Sequence, residues 1–271
     1  MKRFLRRLLA IAATAVTLPA AASTITPHYT DLWYLPSESG WGVNIIQQYD
    51  TMFVTIFVYG ADNQPHWYVG PSVRTVGASQ TQFTGPLYST VGAVFSAPWS
   101  PAAYSFTQVG NVNFTFGTAT TGTMTYTVNN TTVTKSITRQ TWAGNVLSGN
   151  YLGGISANGT NCRNGINNGP ILINGELTIN HTNFFTPTFR IDFNNNTASC
   201  TFAGPYQQEG RLGSIVNGDW SCQIPNVTNP PRGTFSFTQV EATQNGVSGK
   251  FTGTDQNCTY NGFVGGYKDV L

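Results

Sequence analysis

The clearest hydrophobic pattern in the chain is a strict alternation between residues 41 and 49. One parity carries Trp41, Val43, Ile45, Gln47 and Tyr49, and the other carries Gly42, Asn44, Ile46 and Gln48. A period of two indicates a β-strand, whose successive side chains point to opposite faces. Asp50-Thr51 then allows a tight reversal into a second strand, and His66–Val69 returns as a third strand after a loop. The segment therefore predicts an antiparallel meander.

The second of these strands, over residues 52–59, is apolar at nearly every position. One face carries Met52, Val54, Ile56 and Val58, and the other carries Phe53, Phe57 and Tyr59. β-Branched and aromatic residues favour strands. Two apolar faces predict that both are covered by other layers, as in a barrel wall or a sandwich.

Strand patterns continue through the first half of the chain. Strands are predicted near residues 41–49, 52–59, 66–76, 80–89, 104–117, 122–129 and 132–142, with Asn129-Asn130 as the last hairpin turn and residues 133–142 as the strand that closes the unit. Good helix formers are scarce after residue 22, and no helical periodicity is found there. The predicted fold class is all-β, built from antiparallel meander barrels or sandwiches.

Short recurring segments divide the chain into two units. Ser105-Phe-Thr-Gln-Val109 recurs as Ser236-Phe-Thr-Gln-Val240, Phe83-Thr-Gly-Pro86 recurs as Phe202-Ala-Gly-Pro205, and Trp99-Ser100 recurs as Trp220-Ser221. The order is the same in both halves, which favours an internal duplication, although the distance from the Trp-Ser match to the Ser-Phe-Thr-Gln-Val match differs between them. We predict an aromatic-rich β unit over residues 28–144 and a second β unit over residues 145–271.

The first 22 residues have the pattern of a secretory signal peptide. Lys2, Arg3, Arg6 and Arg7 precede an apolar run, and Ala20-Ala21-Ala22 fits a cleavage site. This segment carries four of the 13 basic residues and none of the 11 acidic ones, so its removal changes the net charge from +2 to −2. The remaining basic residues are scattered, which argues against a nucleic-acid partner. We predict an exported protein of the periplasm or the cell exterior, with no transmembrane segment.

All four cysteines lie in the second unit, and an even count in an exported chain predicts two disulfides. Cys200 and Cys222 flank a segment of two predicted strands around a turn near residues 208–213, so they can face each other. Cys162 and Cys258 end the opening strand and begin the closing strand of the unit. We therefore predict the bridges Cys200–Cys222 and Cys162–Cys258. A zinc site is the alternative, but no Cys-x-x-Cys pair is present.

Signatures of catalysis are absent from the sequence. It contains no nucleophile elbow, zinc-protease motif, P-loop or dinucleotide fingerprint, so no cofactor and no metal are predicted. Glu38 is the acid of most interest, because neighbouring aromatic residues could desolvate its carboxyl group and raise its pKa. The alternative is a carboxylate that pins the turn by accepting backbone hydrogen bonds. The predicted ligand-binding residues are Glu38, Trp41, Asn44, His66 and Tyr68.

Several segments together resemble a known family. Leu32-Trp-Tyr-Leu-Pro-Ser-Glu-Ser-Gly-Trp-Gly-Val43, residues 57–67, Phe83-Thr-Gly-Pro-Leu-Tyr88 and Lys135-Ser-Ile-Thr-Arg139 resemble a family of exported bacterial β proteins with a Glu-Ser-Gly-Trp-Gly signature. The resemblance covers the first unit and implies export and a β fold, but no activity. The second unit, with its Ser148-Gly-Asn-Tyr151 opening and Gly-rich strands, is faintly similar to avidin-type barrels. It lacks clear counterparts of the tryptophans of an avidin pocket, so biotin is not expected.

Two main classes of function fit these observations. The favoured one is an exported, non-enzymatic binding or surface-interaction protein for a glycan, an envelope component or a small polar ligand, because charged residues are few and aromatic residues are many. The alternative is a polysaccharide hydrolase in which Glu38 works with Asp31, Asp50 or Asp62. Such a pair of carboxyl groups must lie about 5–9.5 Å apart. A purely structural envelope component is a third possibility.

Overall fold

The structure is a computed structural model that describes residues 28–163, 166, 168–182 and 185–269. The predicted signal peptide lies outside these ranges. The first half of the chain contains eight strands: β1 (Asp31–Leu35), β2 (Glu38–Gln48), β3 (Thr51–Tyr59), β4 (Pro65–Thr75), β5 (Gln82–Val91), β6 (Ser105–Phe116), β7 (Thr121–Val128) and β8 (Thr131–Arg139). A 3₁₀ turn over Pro101–Ala103 precedes β6, and the described residues contain no α-helix.

Strands β1 to β8 form a closed antiparallel barrel in chain order, called barrel 1 here. β8 pairs with β1 to close it, at Trp33 opposite Arg139 and Tyr34 opposite Thr138. The closing role predicted for residues 133–142 is confirmed, while the short β1 was not among the predicted strands.

The second half of the chain forms another closed barrel, called barrel 2. Its strands are β9 (Gly149–Thr160), β10 (Gly169–Asn180), β11 (Thr188–Phe193), β12 (Ala198–Ala203), β13 (Tyr206–Glu209), β14 (Leu212–Gln223), β15 (Arg232–Ala242), β16 (Gly246–Asp255) and β17 (Thr259–Lys268). β12 pairs with β14 to close an eight-stranded wall, and β13 is an additional strand along β14. The predicted all-β fold of two antiparallel units is confirmed, and of the two predicted architectures both units adopt the barrel.

The outer face of β3 differs from its prediction. Phe53, Phe57 and Tyr59 are 44%, 39% and 63% exposed, whereas Met52, Val54 and Ile56 are fully buried. Only the inner face of a closed barrel is covered, so the apolar residues on the outer face of β3 are exposed to solvent. With Trp67, which pairs with Phe57 and is 62% exposed, these three residues form an outer aromatic surface.

The repeated pentapeptide occupies the sixth wall strand of each barrel, β6 and β15, but in different orientations. Phe106 is 60% exposed on β6, while the matching Phe237 is fully buried on β15. Trp99 precedes the 3₁₀ turn, and the matching Trp220 lies within β14. The two barrels share an architecture, but these short matches do not share an environment. The internal duplication stays a prediction.

Both predicted disulfides are confirmed, which also removes the zinc alternative. Cys200 and Cys222 are opposite residues of β12 and β14, so this bridge crosses the seam that closes barrel 2. Cys162 and Cys258 follow β9 and precede β17, and their bridge joins two segments separated by 96 residues. Two disulfides are consistent with an oxidising location outside the cytoplasm.

A cluster of charged side chains joins the two barrels. Arg139 of β8 donates from Nη1 to Asp31 Oδ2 at 3.0 Å, and Arg211 of barrel 2 donates its backbone N–H to the same oxygen at 3.2 Å. The Arg211 guanidinium donates to the Thr30 carbonyl at 3.1 Å and forms an ion pair with Glu241. These contacts fix the β1 start of barrel 1 against the β13–β14 turn of barrel 2.

The connection between the barrels is held by barrel 2. The Gln208 side chain accepts from the backbone N–H of Asn145 at 2.8 Å and donates to the Ala143 carbonyl at 2.8 Å. Leu147 follows and is fully buried in the core of barrel 2. The predicted junction near residues 144–145 thus lies between the two barrels and close to the β13–β14 turn.

Candidate functional site

The Glu-Ser-Gly-Trp-Gly segment begins β2, and its two glycines make room for aromatic rings. Gly40 has a φ of 102°, which L side chains rarely adopt, and a Cβ there would lie 3.3 Å from the ring of Tyr59. A Cβ on Gly42 would lie 2.5 Å from the ring of Phe57. Trp41, between them, has the opposite parity and packs against the core of barrel 1. The segment therefore directs one indole inward while two rings cover its outer side.

Glu38 is held by two side chains at this end of barrel 1. Lys135 Nζ donates to Glu38 Oε2 at 2.6 Å, and Trp41 Nε1 donates to the same oxygen at 3.2 Å. Lys135 lies on the same face of β8 as Val133, Ile137 and Arg139. Its stem therefore faces the barrel interior, while its ammonium group reaches Glu38. Neither contact is a backbone hydrogen bond, so the predicted turn-pinning role for Glu38 finds no support in them.

These groups surround a cavity of 240 Å³, called the barrel 1 mouth here. Its lining includes Glu38, Trp41, Val58, Tyr59, Tyr126 and Lys135. Apolar rings with a few convergent polar atoms are typical of sites for small ligands. The volume lies below the roughly 300–1,000 Å³ of common ligand pockets, which limits the bound part of any ligand to a small unit.

The electrostatics of the barrel 1 mouth differ from the prediction for Glu38. The hydrogen bond from Lys135 is the main influence and lowers the pKa of the Glu38 carboxyl, against a smaller opposing effect of desolvation. Burial raises the pKa of Tyr126, and the nearby Tyr68 raises it further. At neutral pH the mouth therefore presents a carboxylate and a neutral Tyr126 phenol. A raised carboxyl pKa, as expected for a general acid, is not found.

The five predicted binding residues do not form one set. Glu38 and Trp41 line the mouth, and Tyr68 is half-buried at the same end of the barrel interior. His66 is exposed, with its Nε2 3.3 Å from Asp62 Oδ1 in the β3–β4 connection. Asn44 is exposed on the outer face of β2. Asn44 and Trp41 therefore do not share a face, because residues three apart on a strand point to opposite sides.

Lys135 and Tyr126 were missed as site residues. Lys135 lies opposite Met124, and Tyr126 lies opposite Val133 across the β7–β8 pair. The sequence did contain a signal for Lys135, because this charged residue lies on the same strand face as the apolar residues Val133 and Ile137. Its partner could not be found this way, because Glu38 is 97 residues distant in the chain.

The carboxylates needed by the hydrolase alternative are dispersed. Asp31 begins β1 whereas Glu38 pairs with Leu35 at its end, and four residue steps of a strand span about 13 Å. Asp31 is also bound to Arg139 in the interface. Asp50 lies in the β2–β3 turn at the far end of β2, and Asp62 accepts from His66 and from the Gln64 backbone. Of the three, only Asp62 lies at the end of barrel 1 that carries Glu38.

Metal-binding clusters and membrane-spanning helices are both absent from the described part of the chain. No group of three His, Cys, Asp or Glu side chains is placed to hold a metal ion there. Within the same residues no helix is long and apolar enough to cross a membrane.

Comparisons of the sequence with protein-family models and with characterised proteins, and of the structure with solved structures, find no match. The resemblances to the Glu-Ser-Gly-Trp-Gly family and to avidin-type barrels stay predictions. The function must therefore be inferred from the geometry of the barrels.

Proposed function

We propose that this protein is an exported, non-enzymatic binding protein whose barrel 1 mouth holds the terminal unit of a glycan. The observation that carries this proposal is the convergence of Glu38, Lys135 and the Trp41 indole N–H on a cavity of 240 Å³. A carboxylate accepts hydrogen bonds and an ammonium group donates them, so the pair matches the neighbouring hydroxyl groups of a sugar. The rings of Trp41 and Tyr126 offer apolar faces to the C–H groups.

The outer aromatic surface favours an extended ligand rather than a compact one. Tyr59 belongs to both features, because it lines the mouth and lies beside Phe57 and Trp67 on the outer face. A chain whose end occupies the mouth can pass Tyr59 and rest on these exposed rings. Exposed apolar patches of this kind commonly mark interaction sites.

The non-enzymatic part of the proposal rests on the state of Glu38. Its carboxyl pKa is lowered by Lys135, so the group is ionised at neutral pH and is a poor proton donor. Asp62 would be the partner carboxylate in a hydrolase, yet it already accepts two hydrogen bonds. Release of reducing ends from a polysaccharide by the wild type, lost in both Glu38→Gln and Asp62→Asn, would favour the hydrolase instead.

Substituting Glu38 by glutamine should weaken glycan binding by about tenfold or more, because hydrogen bonds to charged groups contribute on this scale. Calorimetric titration with four-residue oligosaccharides of glucose, galactose or N-acetylglucosamine measures the effect. The melting temperature should hardly change, since ion pairs this exposed contribute little to stability.

Asp192→Asn is the matched control, because Asp192 pairs with Arg190 on the outside of barrel 2, far from the mouth. It should leave binding unchanged. If Glu38→Gln lowers the melting temperature and leaves affinity intact, Glu38 is a structural residue and the proposed site is wrong.

Glycan affinity should also depend on pH in a way set by Glu38. Because its carboxyl pKa is lowered in the folded protein, the Glu38–Lys135 pair is complete above the ordinary value of 4.5 and is lost as the pH falls through the lowered value. Affinity should therefore stay level from neutral pH down to about 5 and decline only in stronger acid. A decline centred near pH 6.5 would point to a histidine instead.

A further inference from the structure

Barrel 2 contains a cavity of 230 Å³ at the end remote from barrel 1. Its inner part is formed by buried residues that include Phe202 and Trp220, whose rings stack with centroids 5.9 Å apart. Its rim is formed by half-buried residues that include Ile171, Ile173, Phe193 and Tyr260. The Cys200–Cys222 bridge is part of the wall, so the seam of barrel 2 is also one side of the cavity.

The lining presents almost no free polar group. None of the described residues around the cavity is charged. The two ring donors are engaged by the protein, since Trp220 Nε1 donates to the Thr254 carbonyl at 3.3 Å and the Tyr260 hydroxyl donates to Asp255 Oδ2 at 2.9 Å. Water inside would find few hydrogen-bond partners, so displacing it with an apolar molecule is favourable.

The volume sets the size of such a molecule. A cavity of about 150 Å³ lined by Leu, Ile and Phe stays dry and binds benzene. The cavity in barrel 2 is about half as large again, which is room for two fused rings or for one ring with a short substituent. The stacked and edge-to-face rings around Trp220 favour a flat guest over a flexible chain.

We propose that barrel 2 is a second binding site, which takes a small apolar ring compound. This site is independent of the proposed glycan site, because the two cavities lie in different barrels and share no residue. The barrel 1 mouth selects polar groups through an ion pair, while the cavity in barrel 2 selects against them.

Naphthalene is the probe, and calorimetry with tryptophan fluorescence on the full exported chain is the measurement. We expect one bound molecule per chain in the wild type. Ile171→Trp places an indole at the rim of the cavity and should weaken naphthalene binding by about tenfold or more, since hydrophobic pockets respond on this scale to a change of even one methylene.

Leu172→Trp is the matched control, because Leu172 is the next residue on β10 and is 66% exposed on the outer face. It should bind as the wild type does. No binding at the solubility limit of naphthalene, or equal weakening in both variants, overturns the proposal. If Ile171→Trp lowers the melting temperature, Ile173→Phe fills the same cavity from the next inward position and is measured in its place.

Two further titrations test the shape of the preferred guest and the barrel that holds it. Tighter binding of n-octane than of naphthalene would overturn the choice of a ring compound. Glu38→Gln should bind naphthalene as the wild type does, whatever becomes of its glycan binding. A loss of naphthalene binding in that variant would place the probe in barrel 1 and refute the proposal for barrel 2.

Discussion

Replacing Arg139 by methionine should lower the free energy of unfolding of barrel 1 by about 3–5 kcal/mol, because Asp31 is left buried without its ion-pair partner. The Arg139 side chain is fully buried and that of Asp31 is 10% exposed. The carbonyls of His28 and Ala119 also lose their donor, while the Thr30 carbonyl keeps its hydrogen bond from Arg211. Methionine keeps much of the apolar volume over Trp33, so the loss is mainly one of charge and hydrogen bonds.

Urea denaturation followed by tryptophan fluorescence suits this experiment, since five of the six tryptophans lie between residues 33 and 142. Arg190→Met is the matched control. Arg190 pairs with Asp192 on the surface and is 48% exposed, so its loss should cost about 0–1 kcal/mol. Adding Asp31→Asn to Arg139→Met should recover part of the stability. Equal losses in the two arginine variants would contradict a central role for the buried pair.

Removing the Cys162–Cys258 bridge by a double alanine substitution should destabilise barrel 2 by about 4–5 kcal/mol, because the bridge closes a long loop in the unfolded chain. The two cysteines are 96 residues apart, against 22 for Cys200 and Cys222. The same chain-entropy relation gives about 3 kcal/mol for the shorter loop. Scanning calorimetry of the variant measures the loss.

Barrel 1 has no cysteine, so its transition is the internal control and should keep its midpoint. A decrease in the free energy of unfolding of less than about 1 kcal/mol would have one of two meanings. Either contacts between the β9 and β17 segments persist in the unfolded chain, or the pairing of these strands holds the folded barrel without the bridge. A shift of both transitions together would mean that the barrels unfold as one unit through the Arg139 and Arg211 contacts.

The strands of barrel 1 could be predicted from sequence because alternation is a local property. β2 to β8 all lie within a few residues of their predicted positions. β1 was missed because it has only five residues, and its burial follows no clear alternation. The exposure of Phe53 and Phe57 was missed for a different reason. Apolar character shows that a residue can be buried, but not whether another layer exists to cover it.

The barrel 1 mouth could be predicted only in part. Glu38 and Trp41 were identified because they belong to the same short segment of the sequence. Lys135 and Tyr126 come from the last two strands, so their proximity depends on closure of the barrel, which no local pattern encodes. The pKa of Glu38 moves in the opposite direction from the prediction for the same reason, since the ammonium group that lowers it arrives from β8.

The charged interface joins the closed ends of the two barrels. Tyr29, Trp33 and Phe116 fill barrel 1 at that end, and Tyr151 with Leu147 fills the corresponding end of barrel 2. Each of the two cavities therefore lies at the end of its barrel that is remote from the interface. Under the two proposals made above, the chain would act as an adaptor that holds two chemically different partners, one in each barrel.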